Sequence, residues 1–257
     1  MIQDIKKELR FGFRSYRFLI LFVAFLFFSL MDPVMTKFVV PEIMKSQMPG
    51  LTPEMMAQLV DTSQAGVMRA YMGDVFELVS IVLAFSLCGL MAQEIKENTL
   101  VLPLCSGKRF GSIAGAKIIV FGTALMLAPM FAVLINYAYT GMLFAFEVPF
   151  GSAIYAGLLI GLYMVFLLTM IVMWGAVFKK PLAAGFVTLV SAYGLHFIGG
   201  ALGIQTYLPS GLFAEAARLG SPSEMLVQTL AVTLLGIIAF TIITVIRLKK
   251  MEWNERQ

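Results

Sequence analysis

Charge is scarce in this chain of 257 residues. Asp, Glu, Lys and Arg together make up 13% of it, about half the ~25% of a soluble globular domain. There is one histidine, His196, and there are two cysteines, Cys88 and Cys105. Two thiols cannot build a disulfide framework. One imidazole and two thiols are too few for a zinc centre or a histidine-based catalytic centre, so neither a metal site nor a catalytic residue is expected. Apolar residues fill the space. They are 60% of the chain, and its 22 phenylalanines outnumber its 15 Asp and Glu residues. Mean hydropathy is +0.88. A soluble core of this size cannot hide so much apolar surface, so the solvent for most of the chain is lipid. A disordered chain, a secreted disulfide scaffold and an ordinary cytosolic enzyme are excluded. The net charge of +4 is too small to read as nucleic-acid binding.

A window of ~20 residues, the length that crosses a bilayer, finds six spans. They lie at about 17–40, 75–92, 118–146, 152–178, 182–204 and 225–246. Only helices or closed barrels satisfy backbone groups in lipid, and these runs lack strand alternation. The expected fold is therefore an all-α integral membrane protein, with residues 1–257 forming one transmembrane domain. The first apolar run, 18–31, rises only ~21 Å at ~1.5 Å per residue, short of a ~30 Å hydrocarbon core. It must extend past Asp32-Pro33 or toward Tyr16. No small-residue cleavage site follows it, so it reads as a retained span and not as a cleaved signal.

The basic residues set the orientation. With both termini cytoplasmic, the inside segments hold Lys6, Lys7, Arg10, Arg14 and Arg17, then Lys96, Lys108, Arg109 and Lys117, then Lys179 and Lys180, and finally Arg247, Lys249, Lys250 and Arg256. That is 15 of 19, leaving Lys37, Lys45, Arg69 and Arg218 outside. Such a split predicts a multi-pass membrane protein with both termini in the cytoplasm.

Four segments lie outside the spans. In 1–16, Ile2, Ile5, Leu9 and Phe13 share one helical face, and Lys6, Lys7, Arg10 and Arg14 lie off it. This pattern suits an interfacial helix on an anionic leaflet, with membrane lipid as its partner. The plainer alternative is a basic tail that only sets topology. Segment 94–117 carries a charged turn (Glu94, Lys96, Glu97), an apolar stretch from Leu100 to Leu104, and Lys108-Arg109. An apolar patch clear of the bilayer points to a partner protein, unless the loop folds back on the chain's own helices. Asn98 or Thr99 is placed to cap a short helix there. External segment 41–74 contains Thr52-Pro53-Glu54, a helix start expected to run to about Val60. External segment 205–224 carries a short amphipathic helix over 212–219, between Pro209-Ser210-Gly211 and Gly220-Ser221-Pro222.

Polar residues within the spans are few. Glu77, Asn136 and His196 are the candidates for a translocation path. Their plainer roles are reaching the headgroups, gluing helices and packing. Gly157 and Gly161 permit close helix approach, a pattern that also arises by chance in spans. An intramembrane enzyme needs convergent ionisable groups, and Glu77 and His196 are far apart in sequence. A secondary transporter needs midplane carboxylates or paired broken helices, and Pro129 has no matching break in the other half. A structural or assembly subunit fits the composition but does not account for the 94–117 pattern.

The stretch Glu97-Asn98-Thr99-Leu100-Val101-Leu102-Pro103-Leu104-Cys105-Ser106 resembles the segment between the second and third spans of ABC-2 type permeases, the type V exporter architecture. Taken with the N-terminal amphipathic segment, the six spans and Leu208-Pro209-Ser210-Gly211-Leu212-Phe213 before the last span, the resemblance covers nearly the whole chain. Asn98 stands where the family commonly has Gly, Val101 where it has an acid and Gly107 where it has Pro. Pro103 falls inside the expected coupling helix, so that helix must kink there or restart with Pro103 in its first turn.

The resemblance implies an elbow helix at 1–16, a cytoplasmic coupling helix within 94–117 and a short external helical element before the last span. It implies the non-catalytic membrane subunit of an exporter for a hydrophobic or amphipathic substrate such as a peptide, antibiotic or lipid. The partners would be two copies of an ABC ATPase subunit and a second permease copy, in a homodimer or heterodimer of a bacterial or archaeal inner membrane. ATP and Mg would be bound by the ATPase, with no cofactor in this chain. The implied coupling residues are Glu94, Glu97, Thr99, Leu100, Leu102, Leu104, Lys108 and Arg109. The sequence has no phosphate-binding Gly-rich loop of its own: Gly107-Lys108 is followed by Arg109, and Leu102 stands where the first Gly belongs.

Overall fold

A computed structural model describes residues 2–47, 61–220 and 222–251. The expected helix from Thr52 to about Val60 lies outside the described residues. Among them every regular element is helical. A short N-terminal helix, α1 (Ile2–Arg14), precedes α2 (Arg17–Met44), α3 (Gln64–Lys96), the single turn α4 (Val101–Cys105), α5 (Phe110–Phe144), α6 (Phe150–Phe178), α7 (Pro181–Ala201), the short α8 (Gly211–Ala217) and α9 (Leu226–Lys249). Helices α2, α3, α5, α6, α7 and α9 are each long and apolar enough to cross a membrane. The chain is a multi-pass membrane protein.

The helices outrun the apolar windows that locate them. Helix α3 starts at Gln64, not near 75, because Ser63 caps it. The Ser63 hydroxyl accepts from the Gly66 N–H at 3.0 Å, and Asp61 in turn accepts from the Ser63 N–H and hydroxyl. Those hydrogen bonds hold the Asp61 carboxyl below the usual range. Arg69 and Asp74 dilute the hydropathy of this stretch without breaking the helix. Helix α5 likewise starts at Phe110, so 110–117 is helix and not loop.

Helix α6 is the axis of the bundle. It packs against α5, α9, α7, α8 and the C-terminal part of α3, and 83% of its most apolar stretch is buried, against 17% for α9. Glycines make its closest approaches. A Cβ on Gly157 would lie 2.9 Å from the Met130 Cα, and one on Gly161 would lie 3.1 Å from the Met126 Cα. The small-residue pair in α6 is thus a true α5–α6 contact. Gly175 meets the backbone of Ala92 in α3 in the same way.

Helix α2 answers the length problem of the first span by running straight through Pro33. Proline lacks the N–H that residue 33 would give to the Ser29 carbonyl. The Asn136 Nδ2 of α5 donates to that carbonyl instead, at 2.9 Å, and the Ser29 hydroxyl donates back to the Ala132 carbonyl at 2.8 Å. Two π-helical turns interrupt the α geometry, Met35–Val39 in α2 and Val75–Val79 in α3.

Candidate functional site

The 94–109 segment is built from its turns. Helix α3 stops at Lys96, and Asn98 takes a left-handed conformation at φ 53°, which asparagine tolerates better than most residues. The Thr99 N–H and hydroxyl both return to the Glu94 carbonyl. Helix α4 then restarts at Val101 with Pro103 in its first turn, where a missing N–H costs nothing. This is the second of the two outcomes that Pro103 allowed. At its end the Gly107 N–H donates to the Leu104 carbonyl and the Lys108 N–H to the Pro103 carbonyl, with Gly107 at φ 81°. That is a Schellman closure, and it needs a residue that takes positive φ freely. Glycine therefore has a local reason to stand at 107.

The apolar residues of this segment do not share one surface. Leu100 is 1% exposed and joins the chain's own core, Leu104 is half-buried against it, and Leu102 is 81% exposed. Leu100 therefore cannot anchor a partner in this conformation, because its side chain is already used in packing. Glu97, Thr99 and Arg109 are exposed, and Glu97 accepts from the Gln93 side chain at 2.8 Å.

Glu94 and Lys108 turn inward, toward α1. Lys117, fully buried in the second turn of α5, donates to both Glu8 carboxylate oxygens at 3.0 Å and lies 3.0 Å from Glu94. Lys7 reaches Glu94 at 2.9 Å and Glu8 at 3.4 Å. Asp4 accepts from the Lys108 ammonium and from the Ser112 hydroxyl. Burial works against the Asp4 carboxylate, but these two donors outweigh it and hold its pKa down at about 2. At Lys7 burial is outweighed by Glu94 and Glu8, which push the ammonium pKa up. Three acids and three lysines so tie α1 to both ends of the 94–109 segment.

Helix α1 thus has three faces. Ile2, Leu9 and Phe13 are exposed apolar groups, and Ile5 is half-buried. Lys6, Arg10 and Arg14 are exposed basic groups. Asp4, Glu8 and Gly12 form the face buried in the protein. Lys7, expected at the lipid surface, pairs with Glu94 instead. The acidic stripe was not singled out from the sequence, although Asp4 and Glu8 one helical turn apart in a basic segment are the signal for it.

Of the residues expected in a path, two come together. The His196 ring packs on Phe76 with centroids 4.8 Å apart and contacts the Gln205 amide, and the Tyr193 hydroxyl donates to the Glu77 carbonyl at 2.6 Å. This joins α3 to α7 and brings the exposed Glu77 close enough to His196 to act on it electrostatically. Asn136 is elsewhere, fully buried between α2 and α5. Beyond 201, α8 buries Leu212, Phe213 and Ala216. Its Glu215 accepts from Ser223, and the Arg69 side chain of α3 donates to the Ala217 carbonyl at 3.0 Å. Among the described residues no three His, Cys, Asp or Glu side chains gather into a metal site. No protein-family model, no curated protein and no solved structure matches the chain.

Proposed function

We propose that this chain is the membrane-spanning permease subunit of an ATP-driven exporter, pushed at 94–109 by a separate ATPase subunit. In this reading α1 is the elbow helix on the cytoplasmic leaflet, α4 is the coupling helix, and two copies of the chain work with two ATPase subunits. The observation that carries it is the construction of α4. It is a single turn, closed at its end by Gly107, that leaves Leu102 exposed and uncovered by the chain itself while its flanks are fixed to α1, α3 and α5 by ion pairs. An exposed leucine on a braced turn suits a docking lever. A push there moves three helices as one block, and alternating access then requires two packings of the spans within a few kcal/mol.

Leu102 is the apolar anchor in this scheme, with Glu97, Thr99 and Arg109 setting register around it. Glu94 and Lys108 act one step back, as the brace, and Leu100 supports the turn from below. The substrate class is hydrophobic or amphipathic, moving outward.

The test uses Leu102→Asp beside Leu100→Asp. Substitution at exposed Leu102 leaves stability within ~0.5 kcal/mol of wild type and abolishes co-purification of the nucleotide-binding subunit. Substitution at Leu100 puts a charge in the core, so it lowers stability first. Undiminished association and full ATPase stimulation by the Leu102→Asp chain in proteoliposomes would contradict the coupling role.

A further inference from the structure

The second buried polar cluster has no role in this scheme. Asp32 of α2 and the half-buried Asp74 of α3 bring their carboxyl groups close enough to act directly on one another inside two membrane-spanning helices. Asp32 is 8% exposed, and its Oδ2 has no hydrogen-bond partner. Asn136, fully buried, gives its Nδ2 to the Ser29 carbonyl one turn before Asp32, and its Oδ1 also has no partner. Asp74 stands immediately before one π-helical turn and Asp32 three residues before the other, a distortion found mostly at functional sites.

What is missing is positive charge. Lys37, the nearest cation along α2, donates to the Leu143 carbonyl at 2.8 Å and lies over the Phe144 ring. Arg69 on α3 goes to the Ala217 carbonyl and Asp61. The buried Tyr71 hydroxyl, directed at the Phe25 carbonyl at 3.5 Å, supplies no positive charge either. Glu77, the next acid on α3, is exposed. Two neighbouring carboxylates within membrane-spanning helices, one of them buried, repel unless one positive charge is held between them. Buried acceptors without donors call for a water or an ion.

We propose that Asp32 and Asp74 form a binding site for one monovalent cation, either a proton held between the carboxyl groups or a sodium ion that also draws on the free Asn136 oxygen. The site joins α2 to α3, the helix that leads into α4, so occupancy favours the packing in which these two helices touch. This inference stands apart from the ATPase reading and does not rest on it.

The experiment uses the full chain in lipid nanodiscs at neutral pH, with two readouts. One is the infrared C=O stretch of a protonated carboxyl group, identified by its shift in D2O. The other is equilibrium binding of radioactive sodium chloride. If the cation is a proton, wild type shows the carboxyl band, and Asp32→Asn and Asp74→Asn both lose it. If it is sodium, wild type binds one ion per chain and both variants bind none. Glu77→Gln keeps whichever signal wild type has. Wild type with neither signal overturns the proposal whether or not the variants fold. So does a signal that survives in both Asp variants.

Discussion

The chain buries two polar clusters, one at the α1 end of the bundle and one between α2, α3 and α5, and they are built on opposite principles. In the first, Asp4, Glu8 and Glu94 meet Lys7, Lys108 and Lys117, and each buried carboxylate has an ammonium beside it. In the second, Asp32 meets Asp74, Asn136 binds the Ser29 carbonyl one turn before Asp32, and among the described residues no basic side chain forms an ion pair with either acid. A balanced cluster fixes geometry, because removing any member strands another. An unbalanced one responds to what binds it. The difference separates a brace from a binding site inside one membrane domain.

Breaking the brace has the largest expected effect. Lys117→Met keeps the length of the side chain but removes the fully buried cation shared by Glu8 and Glu94, leaving them only the half-exposed Lys7. It is expected to cost ~3–5 kcal/mol, the range for one buried ion-pair member lost, read as a lower unfolding midpoint in detergent. A midpoint equal to wild type would mean the cluster carries no stability. Next comes the neutral part of the second cluster. Asn136→Leu strands the Ser29 carbonyl and is expected to cost ~1–3 kcal/mol. Adding Pro33→Ala restores the backbone N–H that the carbonyl lacks, so the double variant recovers most of that loss. Failure of the rescue would show that Asn136 acts through something other than the proline gap. The smallest effect sharpens the contrast. Asp32→Asn removes a carboxylate that has no basic side-chain partner, so stability stays within ~1 kcal/mol of wild type or rises. A loss as large as that at Lys117 would show that Asp32 has a basic partner after all, and the two clusters would then be alike.

Much of this architecture was legible in the sequence for a simple reason. Six apolar runs of spanning length have few alternatives once lipid is the solvent, and the basic residues divide unevenly between the loops. The helix ends were less legible, since hydropathy fades at Arg69 and Asp74 while backbone geometry continues to the Ser63 cap. The faces of the 94–109 segment were not legible. Leu100, Leu102 and Leu104 look equivalent by type. Only the turn at Asn98 and the Schellman closure at Gly107 decide that Leu100 points into the core and Leu102 out. The pairing of Asp32 with Asp74 could not be read from two acids 42 positions apart in sequence. It depends on how α2 and α3 pack, which no local pattern encodes.

The proposed coupling role requires α4 to face the cytoplasm, where an ATPase can reach it. The chain carries its own probe, since Cys105 at the end of α4 is exposed and Cys88 is buried. A membrane-impermeant maleimide is expected to label Cys105 in inside-out vesicles and to leave it unlabelled in intact cells, with Cys105→Ser removing the signal. Labelling of Cys105 from outside intact cells would place α4 on the wrong side of the membrane and contradict the account.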